Sequence, residues 1–266
     1  MAGDPSRGPE PTAAPDSDPS DPAGHAASST GAGPSGTPPL TLLATPIGNL
    51  GDLSNRALDT LRQADLVACE DTRRTGLLLH RLGIKKVLLS LHAHSEASRC
   101  QRVIDAVRQG QRVVLVSDAG MPGIADPGER LVQAAIAAEL TVEVIPGPSA
   151  VPVALAGSGL PATPFYFGGF LPPKSGGRSR ELEAALGRDH TSVFFEAPHR
   201  LLRTLQRLAE LGPDRRVVVA RELTKKFEEF VRGRPPDLVR HFEQRPPKGE
   251  ITLIIAGDPV PKWVRW

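Results

Sequence analysis

Val113-Val-Leu-Val-Ser-Asp-Ala-Gly-Met-Pro-Gly-Ile-Ala-Asp-Pro-Gly-Glu-Arg-Leu-Val132 is the stretch from which the rest of the chain can be read. Its first four residues, 113–116, are too uniformly apolar for a half-solvated strand and predict one buried on both faces of a parallel sheet. The strand runs into a loop, residues 117–128, that holds three glycines and two prolines. Such a loop brings bare backbone close to a bound molecule while staying stiff, and its end opens a helix. In open α/β sheets ligands lie off the carboxyl ends of the strands, where backbone N–H groups and helix N-termini converge. The loop is therefore the leading candidate for a ligand site. The plainer reading makes Asp118 and Asp126 turn or capping residues of an ordinary connection.

Working outward, the same pattern repeats on both sides. Residues 40–44 predict a first strand, followed by the tight turn Thr45-Pro-Ile-Gly-Asn-Leu-Gly-Asp52 and a helix from Ser54 that buries Ala57, Leu58 and Leu61. Residues 66–69 predict a second strand ending in Glu70-Asp-Thr-Arg-Arg74, with Thr72 capping a helix that stops at Gly83. Residues 87–91 predict a third strand; His92-Ala-His-Ser-Glu96 then leads into a helix carrying Val103, Ile104 and Val107. Beyond the central loop come a helix over 128–138, a strand over 141–145, the turn Pro146-Gly-Pro-Ser-Ala150 and a small-residue helix over 150–159. Three Gly/Pro-rich turns at strand ends strengthen the case for a site along one edge.

From Thr163 the pattern restarts. Residues 165–167 predict a strand, and Leu171-Pro-Pro-Lys-Ser-Gly-Gly-Arg-Ser-Arg180 a basic loop before a helix with Leu182 and Leu186. A strand over 192–195 leads through Glu196-Ala-Pro-His-Arg200 into a leucine-rich helix. A strand over 217–220 ends in Arg221-Glu-Leu-Thr-Lys-Lys226. After a strand over 227–231 and a helix near Pro235, residues 251–256 close the sheet. The expected architecture is α/β, with two α/β domains at residues 40–150 and 151–258 and an extension at 259–266.

Composition narrows the partners. The first 39 residues contain 9 of the 27 prolines together with many Gly, Ala, Ser and Asp, and predict a disordered tail. That tail lacks the apolar core of a signal peptide, and no later stretch reaches the roughly 18 apolar residues of a membrane span. A cytosolic protein is expected, with Cys69 and Cys100 as small apolar residues. One Arg against five acids in the tail leaves the body at +6 out of a formal total of +2, mildly basic, which permits a polyanionic partner. With one Tyr and two Trp, base-stacking platforms are poorly supplied.

Neither a GxxxxGK[ST] nor a GxGxxG opens the first helix, and there is no GxSxG, which disfavours a P-loop, a dinucleotide-binding unit and a nucleophile elbow. His92, His94 and Glu96 lack the remaining ligands of a metal site and read as loop residues, with Ser95 as an N-cap. Lys174, Arg178 and Arg180 form a run of three positive charges suited to phosphates or simply to solvent. Glu70-Asp-Thr-Arg-Arg74 and Arg221-Glu-Leu-Thr-Lys225 crowd both charge signs at strand ends, one in each half. They read either as structural ion pairs or as two walls of an interdomain pocket.

In order along residues 40–257, Thr45-Pro-Ile-Gly-Asn-Leu, Ala64-Asp-Leu-Val-Ala-Cys-Glu-Asp-Thr-Arg, the central loop, Pro146-Gly-Pro-Ser-Ala, Gly169-Phe-Leu-Pro, His199-Arg-Leu-Leu, Ala220-Arg-Glu-Leu-Thr-Lys and Lys248-Gly-Glu resemble the small-subunit ribosomal RNA cytidine 2′-O-methyltransferases, the RsmI family. The resemblance implies the tetrapyrrole-methylase superfamily, S-adenosylmethionine in the cleft between the two domains, and a homodimer. It implies a cofactor pocket formed by Pro46, Ile47, Gly48 and Asn49; by Ser117, Asp118, Ala119, Gly120, Pro122, Gly123 and Ile124; and by Pro146, Gly147, Pro148, Ser149 and Ala150. These are the three loops already singled out on physical grounds. The turn at residues 46–49 stands where corrin-making members carry a GxGxGD-like sequence, which favours the RNA branch. Met121 stands where the family has Thr, Ala125 where Ser is common, and Ser95 where Asn is usual.

The implied reaction is attack of a cytidine 2′-hydroxyl of 16S ribosomal RNA, free or in the small ribosomal subunit, on the sulfonium methyl group. Glu70, Asp71, Glu222 and a neutral Lys225 stand as candidate proton acceptors, with no choice among them. Arg73, Lys174, Arg178, Arg180 and Lys225 stand as candidate phosphate contacts. Two other readings are a methylase of a small molecule such as a corrin precursor, and a non-catalytic RNA-binding assembly factor.

Overall fold

The computed structural model describes residues 37–91, 96–264 and 266, and of residues 96 and 97 the backbone only. Residues 1–36 of the tail and His92, His94 and Ser95 lie outside the described residues.

Five parallel strands build the first sheet: β1 (Leu40–Leu43), β2 (Leu66–Cys69), β3 (Val87–Ser90), β4 (Val113–Val116) and β5 (Val142–Ile145), in the order β3-β2-β4-β1-β5. Strand β4 is central. Its four side chains are at most 2% exposed, as the unbroken apolar run predicts, each contributing roughly 1.5–3 kcal/mol of burial. Helices α1 (Asn55–Gln63), α2 (Thr72–Arg81), α3 (Glu96–Arg108) and α4 (Glu129–Ala137) cross between the strands. The Ser54 hydroxyl accepts from Ala57 N and caps α1 as expected. Helix α2 is capped by Asp71 rather than by Thr72: the carboxylate accepts from Arg73 N at 2.8 Å, and Thr72 is already the first helical residue. Cys69 and Cys100 are buried in the cores on the two faces of this sheet.

The second sheet is mixed. It comprises β6 (Phe165–Phe170), β7 (Thr191–Glu196), β8 (Val217–Arg221), β9 (Glu229–Gly233) and β10 (Ile251–Ile255), in the order β6-β7-β10-β8-β9. Strand β10 does not close an edge. It is inserted between β7 and β8, antiparallel to both, with every residue buried. Helices α6 (Ser175–Leu186), α7 (Pro198–Leu211) and α8 (Pro235–Gln244) enclose one core. On the other face α5 (Ala150–Ser158) packs Val151, Ala154 and Leu155 against Val193, Val218 and Ile254. Gly157 of α5 meets the Phe230 ring, where any side chain would collide. Ile47 and the C-terminal residues Val264 and Trp266 join the same cluster.

Candidate active site

A cavity of about 700 Å³ opens where the carboxyl ends of the first sheet's strands meet the second sheet, within the usual range for a small-molecule site. From the first sheet come Ile47 after β1, Glu70, Asp71 and Arg74 after β2, the loop after β4, and Ser149 and Ala150 at the start of α5. The second sheet supplies Phe170 from the end of β6, Phe195 and Glu196 from β7, Leu223 after β8, and residues 249–252 leading into β10.

The loops are locked to one another through main chain. Thr45 and Gly120 form an isolated antiparallel bridge; the Thr45 hydroxyl donates to Ser117 O at 3.2 Å, and the Ser117 hydroxyl donates to Gly120 O at 3.0 Å. Gly120 adopts φ +88°, a conformation open to glycine at little steric cost. Gly128, at φ +137°, lies so close to Leu115 that a Cβ would approach its Cδ2 to 2.9 Å. Gly120 thus presents bare backbone at the cavity wall, while Gly128 has no room for a side chain beside Leu115. Of the three loops expected to hold the cofactor, Ile47, Asp118, Ala119, Gly120, Ile124, Ser149 and Ala150 line the cavity. Other residues of those loops are not part of its lining. Asn49 Oδ1 accepts from Gly51 N at 2.9 Å and caps a turn, Ser117 and Pro122 are buried, Gly147 abuts Ala44, and Gly48 lies against the 223–225 segment.

Carboxylates converge on the cavity from both sheets. Asp118 accepts from Asp71 N at 3.2 Å and pairs with Arg74 at 3.5 Å, tying the loop after β4 to the loop after β2. Asp126 is pushed up to about 6: burial is the largest cause, the charges of Glu70, Asp118 and Glu250 add to it, and a hydrogen bond with Ser117 opposes it. Glu196, with a fully buried side chain, is held by Arg200 at 2.6 Å, by the Thr204 hydroxyl at 2.6 Å and by Ala197 N at 2.8 Å. It is committed to that network at the start of α7.

Several expected site residues are engaged in ways the sequence did not indicate. Lys225 donates to Glu222 Oε1 at 2.8 Å and Glu250 Oε2 at 3.0 Å; burial opposes its charge, yet the two carboxylates hold its ammonium above the usual lysine range. A neutral Lys225 that accepts a proton does not fit this arrangement. Glu222 is correspondingly held below the usual range, since Lys225 and Glu250 N outweigh its desolvation. Asp71 is lowered to about 2 by the two-pronged hydrogen bond from the Arg73 side chain and by its capping of α2, so it is a weak base. Arg178 is not on a loop. Residues 175–180 already belong to α6, and Arg178 turns inward, 9% exposed, donating to Pro173 O at 3.2 Å. Lys174 and Arg180 remain exposed. Sequence reasoning gave no role to Arg74, Phe170 or Glu250 and read Asp126 only as a turn or capping residue. All four lie in stretches quoted above, so their position was signalled but their chemistry was not. Among the described residues no His, Cys, Asp and Glu group is arranged to hold a metal ion.

A family model described as Tetrapyrrole (Corrin/Porphyrin) Methylases matches residues 39–239. The solved structures of diphthine synthase (TM-score 0.66, 16% identity, covering 85% of this chain and 92% of that one) and of uroporphyrin-III-C-methyltransferase from Thermus thermophilus (TM-score 0.58, 23% identity, 82% and 93%) share its fold. Fold and site define an S-adenosylmethionine-dependent methyltransferase of the tetrapyrrole-methylase class. Curated relatives narrow this further. Ribosomal RNA small subunit methyltransferase I of Thermotoga maritima is 45% identical over 218 residues, which cover 82% of this chain and 98% of that protein. Its counterparts in Synechocystis sp. and Bacillus subtilis are 47% and 42% identical, over 82% of this chain and 78% and 75% of theirs. The chain belongs to the ribosomal RNA small subunit methyltransferase I family.

Proposed function

We propose that this chain methylates the ribose 2′-hydroxyl of a cytidine in small-subunit ribosomal RNA, inside the cavity between the two sheets. The observation that carries the reading is the joining of bare-backbone loops and carboxylates on one 700 Å³ cavity, in a chain 45% identical to a ribosomal RNA small subunit methyltransferase I. The residues present suit S-adenosylmethionine. Gly120 and Ala119 admit a close approach, Ile47, Ile124 and Leu223 offer apolar contact, and Glu70, Asp118 and Asp126 face a cationic ligand with negative charge. When bound, S-adenosylmethionine supplies an activated methyl group on a sulfonium sulfur.

The main task of the protein is then alignment, which contributes several kcal/mol to such a reaction by holding the reacting atoms in line. Ile47, Asp118, Ala119, Gly120, Ile124, Ser149 and Ala150 are the wall for the cofactor. A proton leaves the 2′-hydroxyl; of the original four candidates Glu70 and Asp71 line the cavity, the Arg73 and Lys225 bonds hold Asp71 and Glu222 low, and Glu70 is the proposed acceptor. Lys174, Arg180 and Arg73 are the exposed cations proposed for RNA phosphates. The family resemblance further supports a homodimer acting in the cytoplasm, and no helix among the described residues is long and apolar enough to cross a membrane. The test is transfer of labelled methyl to small ribosomal subunits that lack the modification, followed by nucleoside mass spectrometry. 2′-O-Methylcytidine is the expected product. Intact cofactor binding without transfer to subunits or naked RNA would reject the reading in favour of a small-molecule acceptor.

A further inference from the structure

We infer that Phe170 is a stacking platform for a nucleobase of the RNA, seating the nucleotide whose ribose is presented to the cavity. This rests on the RNA-methylating function proposed above. Four aromatic rings among the described residues are strongly exposed, Phe165, Phe170, Phe227 and Trp263, and of these Phe170 alone lines the cavity. The residue is 60% exposed. A large apolar ring left in water at the wall of a ligand cavity gains most of its burial only when something flat covers it.

The backbone holds Phe170 in that position. Strand β6 pairs with β7 in regular register through Phe167, then shifts at Gly168 and Gly169 before Phe170 comes opposite Phe195. Gly168 is forced by the Phe194 and Tyr166 rings, against which a side chain would collide, and Gly169 takes φ +65°. A bulge of this kind re-aims the side chain that follows it. Phe195 then meets Phe170 edge to face at 5.3 Å and 61°, and Phe167 in turn contacts Phe195 edge to face at 5.1 Å. The ring is therefore both exposed and propped, the combination a stacking surface needs to lose little freedom on binding.

Its surroundings distinguish the two ligands. Glu70, Asp118 and Asp126 stand on loops of the first sheet and suit a cation; on the second sheet Glu196 and Glu250 are paired with Arg200 and Lys225, and Phe170 stands four residues before the exposed Lys174 at the start of α6. A neutral base on the ring with its phosphates toward Lys174 satisfies both groups. Stacking of this kind is worth a similar amount for any base and does not itself select cytosine.

The test compares Phe170→Ala, Phe170→Leu and Phe170→Trp with the unaltered chain, measuring KM and kcat on unmodified small ribosomal subunits and, separately, S-adenosylmethionine affinity by calorimetry. Loss of the aromatic face in the Ala and Leu variants is expected to raise the KM for RNA about tenfold, with Trp close to the unaltered chain and cofactor affinity unchanged. A Leu variant with unaltered KM would overturn the assignment, since an apolar wall would then suffice. Equal loss of cofactor affinity in the Ala variant would also overturn it and assign the ring to the cofactor side. If the unaltered chain binds cofactor but methylates no RNA, the proposed function fails and takes this inference with it, an outcome distinct from both of the others.

Discussion

The main-chain groups of Thr45 and Gly120 exchange two hydrogen bonds, Thr45 N to Gly120 O at 2.9 Å and Gly120 N to Thr45 O at 3.0 Å. The loops leaving β1 and β4, adjacent strands of the parallel sheet, are thereby joined into one surface at the carboxyl edge. Ile47 and Asp118 are carried on it together, so the shape of the cavity floor depends on a pairing that only main chain makes.

Gly120 is the weak point of that pairing. At φ +88° an L-residue is strained, and a Cβ there would come to 3.3 Å from Ile47 Cγ2. Gly120→Val is expected to cost about 1–3 kcal/mol of stability and to weaken S-adenosylmethionine binding at least as much as Gly120→Ala does. Thermal melts and calorimetry on both variants check this. Unaltered cofactor affinity in the Val variant would remove the loop from the site.

How much of this was legible in the sequence follows from the range of the forces involved. The strand at residues 113–116 and the glycine loop after it could be read because burial on both faces leaves an uninterrupted apolar run, and a turn with φ above zero leaves glycine. The place of β10 was not legible: a strand at the end of the pattern reads as an edge, whereas its insertion between β7 and β8 is decided by antiparallel pairing over long separations. Arg178 read as a loop residue because Gly176 and Gly177 precede it, yet α6 begins at Ser175 and tertiary packing overrides their poor helix propensity. Asp126 read as a turn residue because its raised pKa comes first from burial and then from the charges of Glu70, Asp118 and Glu250, which surround it only in the folded chain.

Asp126 gives a pH-dependent signature. Its carboxyl titrates near 6 in the folded chain against an ordinary 3.8, so the folded state binds the extra proton between these values and stability falls as pH rises through that window. Asp126→Asn removes the penalty. The variant is expected to be more stable than the parent at pH 7.5, by on the order of 1–2 kcal/mol after allowance for solvent screening, and to lose that advantage below about pH 4. Cofactor affinity in the parent is expected to rise from pH 5 to 7 as Asp126 ionises and to be flatter in Asn. Urea unfolding and calorimetry over this range decide it, and a pH-independent stability difference would contradict the crowded-carboxylate picture.

The Lys225 ammonium between Glu222 and Glu250 carries a different sign. Glu222 is lowered in the folded chain, so its stabilising contribution is present above its ordinary range and disappears as pH falls through its folded value. Lys225 is raised, and its contribution persists until pH climbs past the usual lysine range. Lys225→Met, which keeps the stem packed over Gly48, is expected to cost about 1 kcal/mol at pH 7 and clearly less near pH 4. Denaturation of parent and variant at the two pH values is the check. A cost that does not shrink on acidification would mean that packing, not charge, is what Lys225 supplies.

Lys174 and Arg180 are exposed on the turn and helix where Arg178 is buried, so the proposed phosphate contacts and a folding contact stand within seven residues of one another. Each contact between a cation and a phosphate releases condensed counterions, so removing two of them lowers the dependence of log affinity on log salt by about 2 for a duplex, somewhat less for a single strand. Lys174→Ala with Arg180→Ala is therefore expected to weaken RNA binding most at low salt, with the melting temperature and cofactor affinity unaltered. Arg178→Ala is expected to do the opposite. Loss of its bond to Pro173 O and of its packing in α6 should cost about 1–3 kcal/mol of stability with little change in the salt slope. Titrations of small-subunit RNA at several salt concentrations, beside melts of both variants, test the division. An unaltered slope in the double variant would send the search for phosphate contacts to Arg74 at the cavity and to Arg73 beside it in sequence, which Asp118 and Asp71 respectively hold in ion pairs.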